Sequence, residues 1–234
     1  MDRPFFPAFI LKVMPNLLSF LPVTLLIMAC TIMGGGLIGI VLTRARLRPA
    51  HFPRRLAEAY TMAMRCTPSI VLLFIVYYGV PELAFVFFNI DINGWYKGVF
   101  VIITLTLLYG ATMSEIMRSA YLSVEHGQTE AAVSIGLSET QAFFRIVLPQ
   151  ATVAALPNCG NSLISLMKEG ALAYTIGLID MMGQGSLIIS RNYGSYGLET
   201  YIALAIIYWT LTIIIERSFA LAEKRLSRGK RALA

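Results

Sequence analysis

Polar and apolar residues along this chain are sorted into blocks. No Asp, Glu, Lys or Arg occurs in 17–43 or in 98–114. A helix needs roughly 20 apolar residues to cross the hydrocarbon of a bilayer. Runs of that order predict crossings near 17–43, 56–80, 98–118, 153–179 and 199–220. The first ends at Thr43, ahead of the basic run Arg44-Ala45-Arg46-Leu47-Arg48, and Pro81 is expected to stop the second. The loop 81–97 that follows carries Glu82, Asp91 and the turn signal Asn93-Gly94. The fourth run is the least regular. It holds Pro157, Lys168, Glu169, Gly170 and Gly177, which predicts a broken or kinked helix packed inside protein and away from lipid. The opening segment 4–16, with three prolines and several aromatics, reads either as a helix along the outer interface or as an irregular lead-in.

Composition narrows the class. Hydrophobic residues make up 57% of the 234 and charged residues only 14%, with a mean hydropathy of +0.69. A soluble domain carries close to a quarter charged residues. The reading is an all-α integral membrane protein, one domain over 1–234, with no soluble segment long enough to bury its own core. The first apolar run contains Gly34-Gly35-Gly36 and lacks a small-x-small cleavage site, so it is expected to be a crossing and not a signal peptide. The net charge of +6 does not imply nucleic acid, because the basic residues form short clusters beside apolar runs. They report orientation instead. With the N-terminus outside, the inner segments hold Arg44, Arg46, Arg48, Arg54, Arg55, Arg118, Arg145, Lys168, Arg217, Lys224, Arg225, Arg228, Lys230 and Arg231. The outer segments hold only Arg3, Lys12, Lys97 and Arg191. Five crossings then put the C-terminus inside.

That orientation places the stretch 125–149 in the cytoplasm. Its pattern is two short helices around a glycine. The first, about 128–135, is built on Glu130, Ala131 and Ala132. Gly136 suits the position just past its end, where a left-handed residue closes the helix. Ser138 and Gln141 have the spacing of a capping box for the second helix. Ala142, Phe143, Ile146 and Val147 give that helix an apolar face, and Pro149 is expected to end it. Such a knob is too small to fold alone. Physics leaves two options: it docks on a partner, or it is a surface loop held only by the flanking crossings.

Glu130-Ala131-Ala132, three residues, Gly136, nine residues, then Ile146-x-Leu148-Pro149 resembles the EAA signature of ABC-importer permeases. Other segments resemble the polar amino-acid branch of that family, and the resemblance covers nearly the whole chain. Met64-Arg65-Cys66-Thr67-Pro68 with Phe74-Ile75-Val76-Tyr77-Tyr78-Gly79-Val80-Pro81 is similar to an "RGTP … YYGLP" stretch, with Cys66 where glycine is usual. Glu115-Ile116-Met117-Arg118 precedes the loop as in the branch. Met167-Lys168-Glu169-Gly170-Ala171-Leu172 is similar to an "LLKDTSL" stretch, with Glu-Gly-Ala in place of Asp-Thr-Ser. The Phe20–Leu25 start, the Ala173–Met182 stretch and the ending from Tyr201 to Arg225 resemble cystine-uptake permeases. The resemblance implies the type I ABC-importer permease fold in a bacterial cell (inner) membrane. It implies a coupling role for Glu130, Ala131, Ala132, Gly136, Ile146, Leu148 and Pro149. The implied partners are two cytoplasmic ATP-binding subunits carrying ATP and Mg, a second permease, identical or homologous, and an extracellular or periplasmic substrate-binding protein that delivers a polar amino acid.

The remaining polar residues have two readings each. Arg65 is a gate or substrate contact, with Thr67 and Pro68 beside it, or else a snorkelling arginine at the inner interface. Glu115 and Arg118 are spaced for an ion pair on one helix. Lys168 and Glu169 either line a translocation path or pair structurally near the inner gate. Asn158, Asn161 and Ser165 share a helix face that lines the path or bonds between helices. Tyr77, Tyr78 and Trp95 suggest an outer aromatic belt, and Cys30, Cys66 and Cys159 small packing residues. Nothing has the form of a catalytic centre. There is no GxxxxGK[ST] sequence to cradle nucleotide phosphates, and His51 and His126 lack metal-ligand spacing, so no cofactor or metal is expected on this chain. A self-contained secondary transporter or channel, or a non-transporting scaffold, would share the hydrophobic pattern but needs no ATPase-docking knob.

Overall fold

The computed structural model describes residues 5–227. All regular elements there are helical: α1 (Ala8–Leu18), α2 (Leu21–Leu47), α3 (His51–Cys66), α4 (Ser69–Phe88), α5 (Lys97–Leu122), α6 (His126–Ser134), α7 (Glu139–Ala142), α8 (Leu148–Gly170), α9 (Met181–Arg191) and α10 (Gly197–Ser227). Four of them, α2, α4, α5 and α10, are long and apolar enough to cross a membrane. The fifth crossing is composite. The helical stretch Glu139–Ile176 and α9 pass the same test only together, bent by 44°.

Helix α5 is the centre of the bundle. Of its apolar stretch 56% is buried, against 22–28% for the other three long helices, and it packs on α2, α3, α4 and α8. The α2–α5 contact is the most extensive in the fold and rests on absent side chains. A Cβ at Gly35 would stand 2.8 Å from the Tyr109 ring and 3.1 Å from the backbone nitrogen of Gly110. One at Gly39 would meet Met113 Cβ at 2.8 Å, and one at Gly110 would meet Ile38 Cγ2 at 2.6 Å. Lipid gives helices no hydrophobic reason to associate, so close backbone approach through small residues has to supply the attraction. One helical turn further on, the Thr43 hydroxyl donates to Gly39 O at 2.7 Å and to Ser114 O at 3.2 Å, tying the two helices together.

Several sequence expectations are corrected. The run 56–80 is not one helix. Thr67 is extended (φ −88°, ψ 125°), as the residue before a proline tends to be, so α3 ends at Cys66 and the crossing is Ser69–Phe88. Pro81 does not stop it. The helix passes through this buried proline to Phe88 and ends on left-handed Asn89 (φ 55°). The loop therefore shrinks to 89–96. There Asp91 accepts from the backbone and side-chain amides of Asn93 at 2.9 and 2.8 Å, which holds its carboxyl below the usual range. Pro149 does not end the second helix of the 125–149 stretch. Phe143–Val147 form a π-helical turn, Leu148 N–H reaches back five residues to Phe143 O, and the chain runs on into α8. The widened turn lies where the proline ring would crowd the carbonyl four residues before it. Pro157 also stays within α8, and the break falls later, in the 3-10 turn Ala171–Ile176.

The opening segment is helical as α1, with Pro4 and Arg3 lying outside the described residues, as do Arg228, Lys230 and Arg231. It packs on α9 and α10. The Phe6 amide donates to buried Glu199 at 2.8 Å, and Phe9 stacks on Tyr196 with centroids 4.0 Å apart. Tyr77 is half-buried edge-on against Phe100, so it belongs to the core and not to an interfacial belt, whereas Tyr78 and Trp95 are exposed. Cys66 is exposed at the α3 terminus and is not a packing residue.

Candidate functional site

Three features of this bundle bear on function, and the first is the knob. Helix α6 ends in the geometry expected for Gly136, whose φ is 93°. Gly136 N–H bonds Val133 O at 2.9 Å and Leu137 N–H bonds Ala132 O at 3.1 Å, the paired closure of a Schellman motif. Two residues on, the capping box is complete. Gln141 N–H donates to Ser138 Oγ at 3.2 Å, and Ser138 N–H donates to Gln141 Oε1 at 3.0 Å. Ala132 (2% exposed), Ala142 and Val147 are buried, with Phe143 and Ile146 half-buried beside them. Glu130, Ala131 and Pro149 are exposed, and so are Val133, Ile135, Phe144 and Leu148. The knob therefore has a fixed shape, with α6 closed on α7 and the π-helical turn and an apolar outer face left open.

The second feature is a cavity of about 240 Å³ at the α3–α4 break. It is lined by Arg65, Thr67 and Ser69 from the break, by Tyr109 and Thr112 of α5, and by Ser162, Ser165 and Glu169 of α8, with Met64, Leu108 and Leu166 between them. Four sequence candidates, Arg65, Thr67, Ser165 and Glu169, thus share one cavity. Pro68 makes the break but does not line it. Asn158, Asn161 and Lys168 lie elsewhere, exposed together with Ser165 along one face of α8. Sequence reading missed Ser69, Tyr109, Thr112 and Ser162. The available signal was their polarity within otherwise apolar runs.

The third feature is an ion cluster where α2, α3 and α5 meet. Glu115 pairs with Arg118 at 2.6 Å, as the spacing predicts, but also with Arg46 at 2.8 Å and with Arg65 at 4.0 Å. The basic run 44–48 gives Arg46 a topological role alone, and the structure adds a structural one. The Arg46 side chain is only 10% exposed, and it also donates to Ser114 Oγ at 3.4 Å. Among the described residues, no group of three His, Cys, Asp or Glu is placed to hold a metal ion.

The family model described as "Binding-protein-dependent transport system inner membrane component" matches residues 35–228. The chain belongs to this family. The permease is 40% identical to the L-cystine transport system permease protein TcyL of Bacillus subtilis (strain 168) over 98% of this chain and 95% of that one. It is 38% identical to the probable amino-acid permease protein YxeN of the same organism, over 95% and 96% of the two chains. Among solved structures, a chain of an amino acid ABC transporter with histidines superposes with a TM-score of 0.81 at 28% identity, covering 96% of this chain and 100% of that one. The fold is that of a type I ABC-importer permease, and the chain is a transport component, not an enzyme.

Proposed function

We propose that this permease is the membrane-spanning subunit of an ATP-binding-cassette importer for a polar amino acid, L-cystine being the cargo named for the relative at 40% identity. The observation that carries the reading is the knob: a small helical unit of fixed shape whose apolar residues Val133, Ile135 and Phe144 point away from its own bundle. Clustered exposed apolar surface of that kind marks an interaction site, and a rigid unit transmits displacement where a flexible loop would lose it. Its partner is an ATPase subunit that binds ATP and Mg and closes on nucleotide. Glu130 positions the docked knob by charge, Ala131 allows close approach, and Ile146, Leu148 and Pro149 join it to α8. The N-terminus lies outside and the C-terminus inside, by the same count of basic residues.

Two further observations agree. Asn158, Asn161, Ser165 and Lys168 form a polar face on a helix that crosses the membrane, and polar groups facing hydrocarbon are costly. That face is covered by a second permease, identical or homologous, with the translocation path between them. The cavity at the α3–α4 break sets Arg65 and Glu169 around a ring of hydroxyls, a charge arrangement that suits a zwitterion with its carboxylate at the arginine and its ammonium at the glutamate. A binding protein delivers the amino acid on the outer side of a bacterial inner membrane. ATP binding closes the ATPases and opens the path outward, and hydrolysis resets it.

The test is to introduce Glu130→Ala and Gly136→Asp separately and to measure ATPase co-purification and amino-acid uptake in cells where membrane insertion is verified. Both variants are expected to insert and to lose association and uptake. Unchanged association and uptake in both would remove the reading.

A further inference from the structure

The Glu115 cluster opens onto two adjoining recesses outside the cavity at the α3–α4 break, with Arg65 bordering both the cavity and one recess. One, of about 430 Å³, is lined by Arg46, Leu47, Arg54, Glu58, Arg118 and Leu122. The other shares Arg46 and Glu58 with it and adds Arg65 and Glu115. Around them, four guanidiniums face two carboxylates. Both carboxylates are already engaged, Glu58 with Arg54 at 2.9 Å and Glu115 with Arg46, Arg65 and Arg118. The recess is left with an excess of positive charge. The arginines are also incompletely satisfied: the Nε donors of Arg46 and Arg118 are buried with no hydrogen-bond partner, and the Arg46 side chain is only 10% exposed. A buried donor without an acceptor costs free energy that an incoming acceptor recovers.

The position of the recess indicates what brings that acceptor. Charge-free sequence in α2 ends at Thr43, so Arg46 sits at the edge of the hydrocarbon. Leu47 and Leu122, both exposed, form an apolar lip on the same recess. We propose that the recess between α2, α3 and the end of α5 binds a phosphate group, carried by the headgroup of an acidic phospholipid or present as the free ion. The planar, multi-donor guanidinium matches a phosphate's oxygens. The apolar lip favours the lipid source, with the glycerol and first methylenes lying on Leu47 and Leu122. Basic pockets between helix ends beside an anionic leaflet have this character in general. The occupant holds α3 against α2 and α5, and the last turn of α3 carries Arg65, which lines the cavity at the α3–α4 break.

The experiment uses the full chain, purified in neutral detergent and stripped of lipid, and follows thermal unfolding as a function of added ligand. The probes are phosphatidylglycerol, phosphatidylcholine and inorganic phosphate, the last against chloride at matched ionic strength. Phosphatidylglycerol is expected to stabilise the chain at lower concentration than phosphatidylcholine. Arg54→Gln, at an exposed position that leaves the Glu115 pairs intact, should weaken that preference about fivefold, the factor for ~1 kcal/mol per basic residue beside an anionic surface. Arg118→Gln should weaken it at least as much, and Arg48→Gln, outside the recess, should leave it unchanged. Stabilisation by inorganic phosphate that the same variants weaken supports the site and assigns its source to the free ion. Equal stabilisation by the two lipids with none by phosphate overturns the proposal, as does a preference that survives both recess variants. Phosphatidylglycerol binding that vanishes when the ATPase is added, with the recess then cross-linking to it, also overturns the proposal and assigns the recess to a protein carboxylate.

Discussion

Replacing Gly136 with alanine separates the shape of the knob from everything else in the molecule. The backbone there has φ 93°, and a Cβ would meet no atom within 4 Å. The substitution therefore adds no clash and removes no contact. What remains is the left-handed conformation, which costs a residue with a Cβ ~1–2 kcal/mol. Because α6 packs on α7 and the π-helical turn Phe143–Val147, with Ala132 buried and Leu137 half-buried beyond Gly136, that cost falls on the knob and not on the five-crossing core. It corresponds to a shift of about 5–30-fold in the equilibrium between ordered and opened knob. Hydrogen exchange reads this directly: the amides of Gly136 and Leu137, bonded to Val133 O and Ala132 O, should exchange faster by that factor, while those of α2 and α5 keep their protection. On the proposed coupling, ATP-driven uptake should fall with it. Asparagine tolerates the left-handed region better than alanine, so Gly136→Asn should retain part of both. The reasoning is refuted if Gly136→Ala matches the parent in exchange and uptake, or if protection is lost equally throughout the bundle.

Other consequences are as direct. Glu115→Gln leaves Arg46, Arg65 and Arg118 facing one another. Since the Glu115 side chain is 28% exposed, the loss should be about 2 kcal/mol, roughly half that of breaking a fully buried pair, read as a lowered Tm that Glu115→Asp partly restores. Gly35→Ala forces a Cβ to within 3.1 Å of the Gly110 backbone and should cost ~1–3 kcal/mol as overpacking, whereas Gly36→Ala, inside the same helix with nothing within 4 Å, should cost no stability and can raise it; thermal unfolding of the two variants decides it. The Asp91 carboxyl is held low by Asn93, so its support of the 89–96 loop is present above the ordinary carboxylate range and lost as pH falls through the lowered value. Proteolysis near the loop should increase at that acidic limit in the parent and lose its pH dependence in Asp91→Asn.

The knob was legible in the sequence because its determinants are local. A glycine past a helix end and a serine three residues before a glutamine act through bonds within a few positions, and both appear in the structure as their spacing implies. Crossing boundaries were less legible. Thr67-Pro68 breaks a run that hydropathy joins, whereas Pro81 and Pro157 are carried within their helices, as prolines in membrane helices can be. The charges in 51–66, Arg54, Arg55, Glu58 and Arg65, were the available sign that α3 is not part of a crossing. The pairing of Arg46 with Glu115 joins residues 69 positions apart, and no local pattern announces it. Tyr109, Thr112 and Ser162 reach the cavity for the same reason, through the packing of α5 against α8.

The most direct test of the account is reconstitution. The permease, placed in sealed vesicles with its ATPase and its binding protein loaded with labelled amino acid, should accumulate label only when ATP is supplied on the ATPase side, with cystine the preferred cargo. Accumulation by the permease alone, driven by an ion gradient and indifferent to ATP, would contradict it.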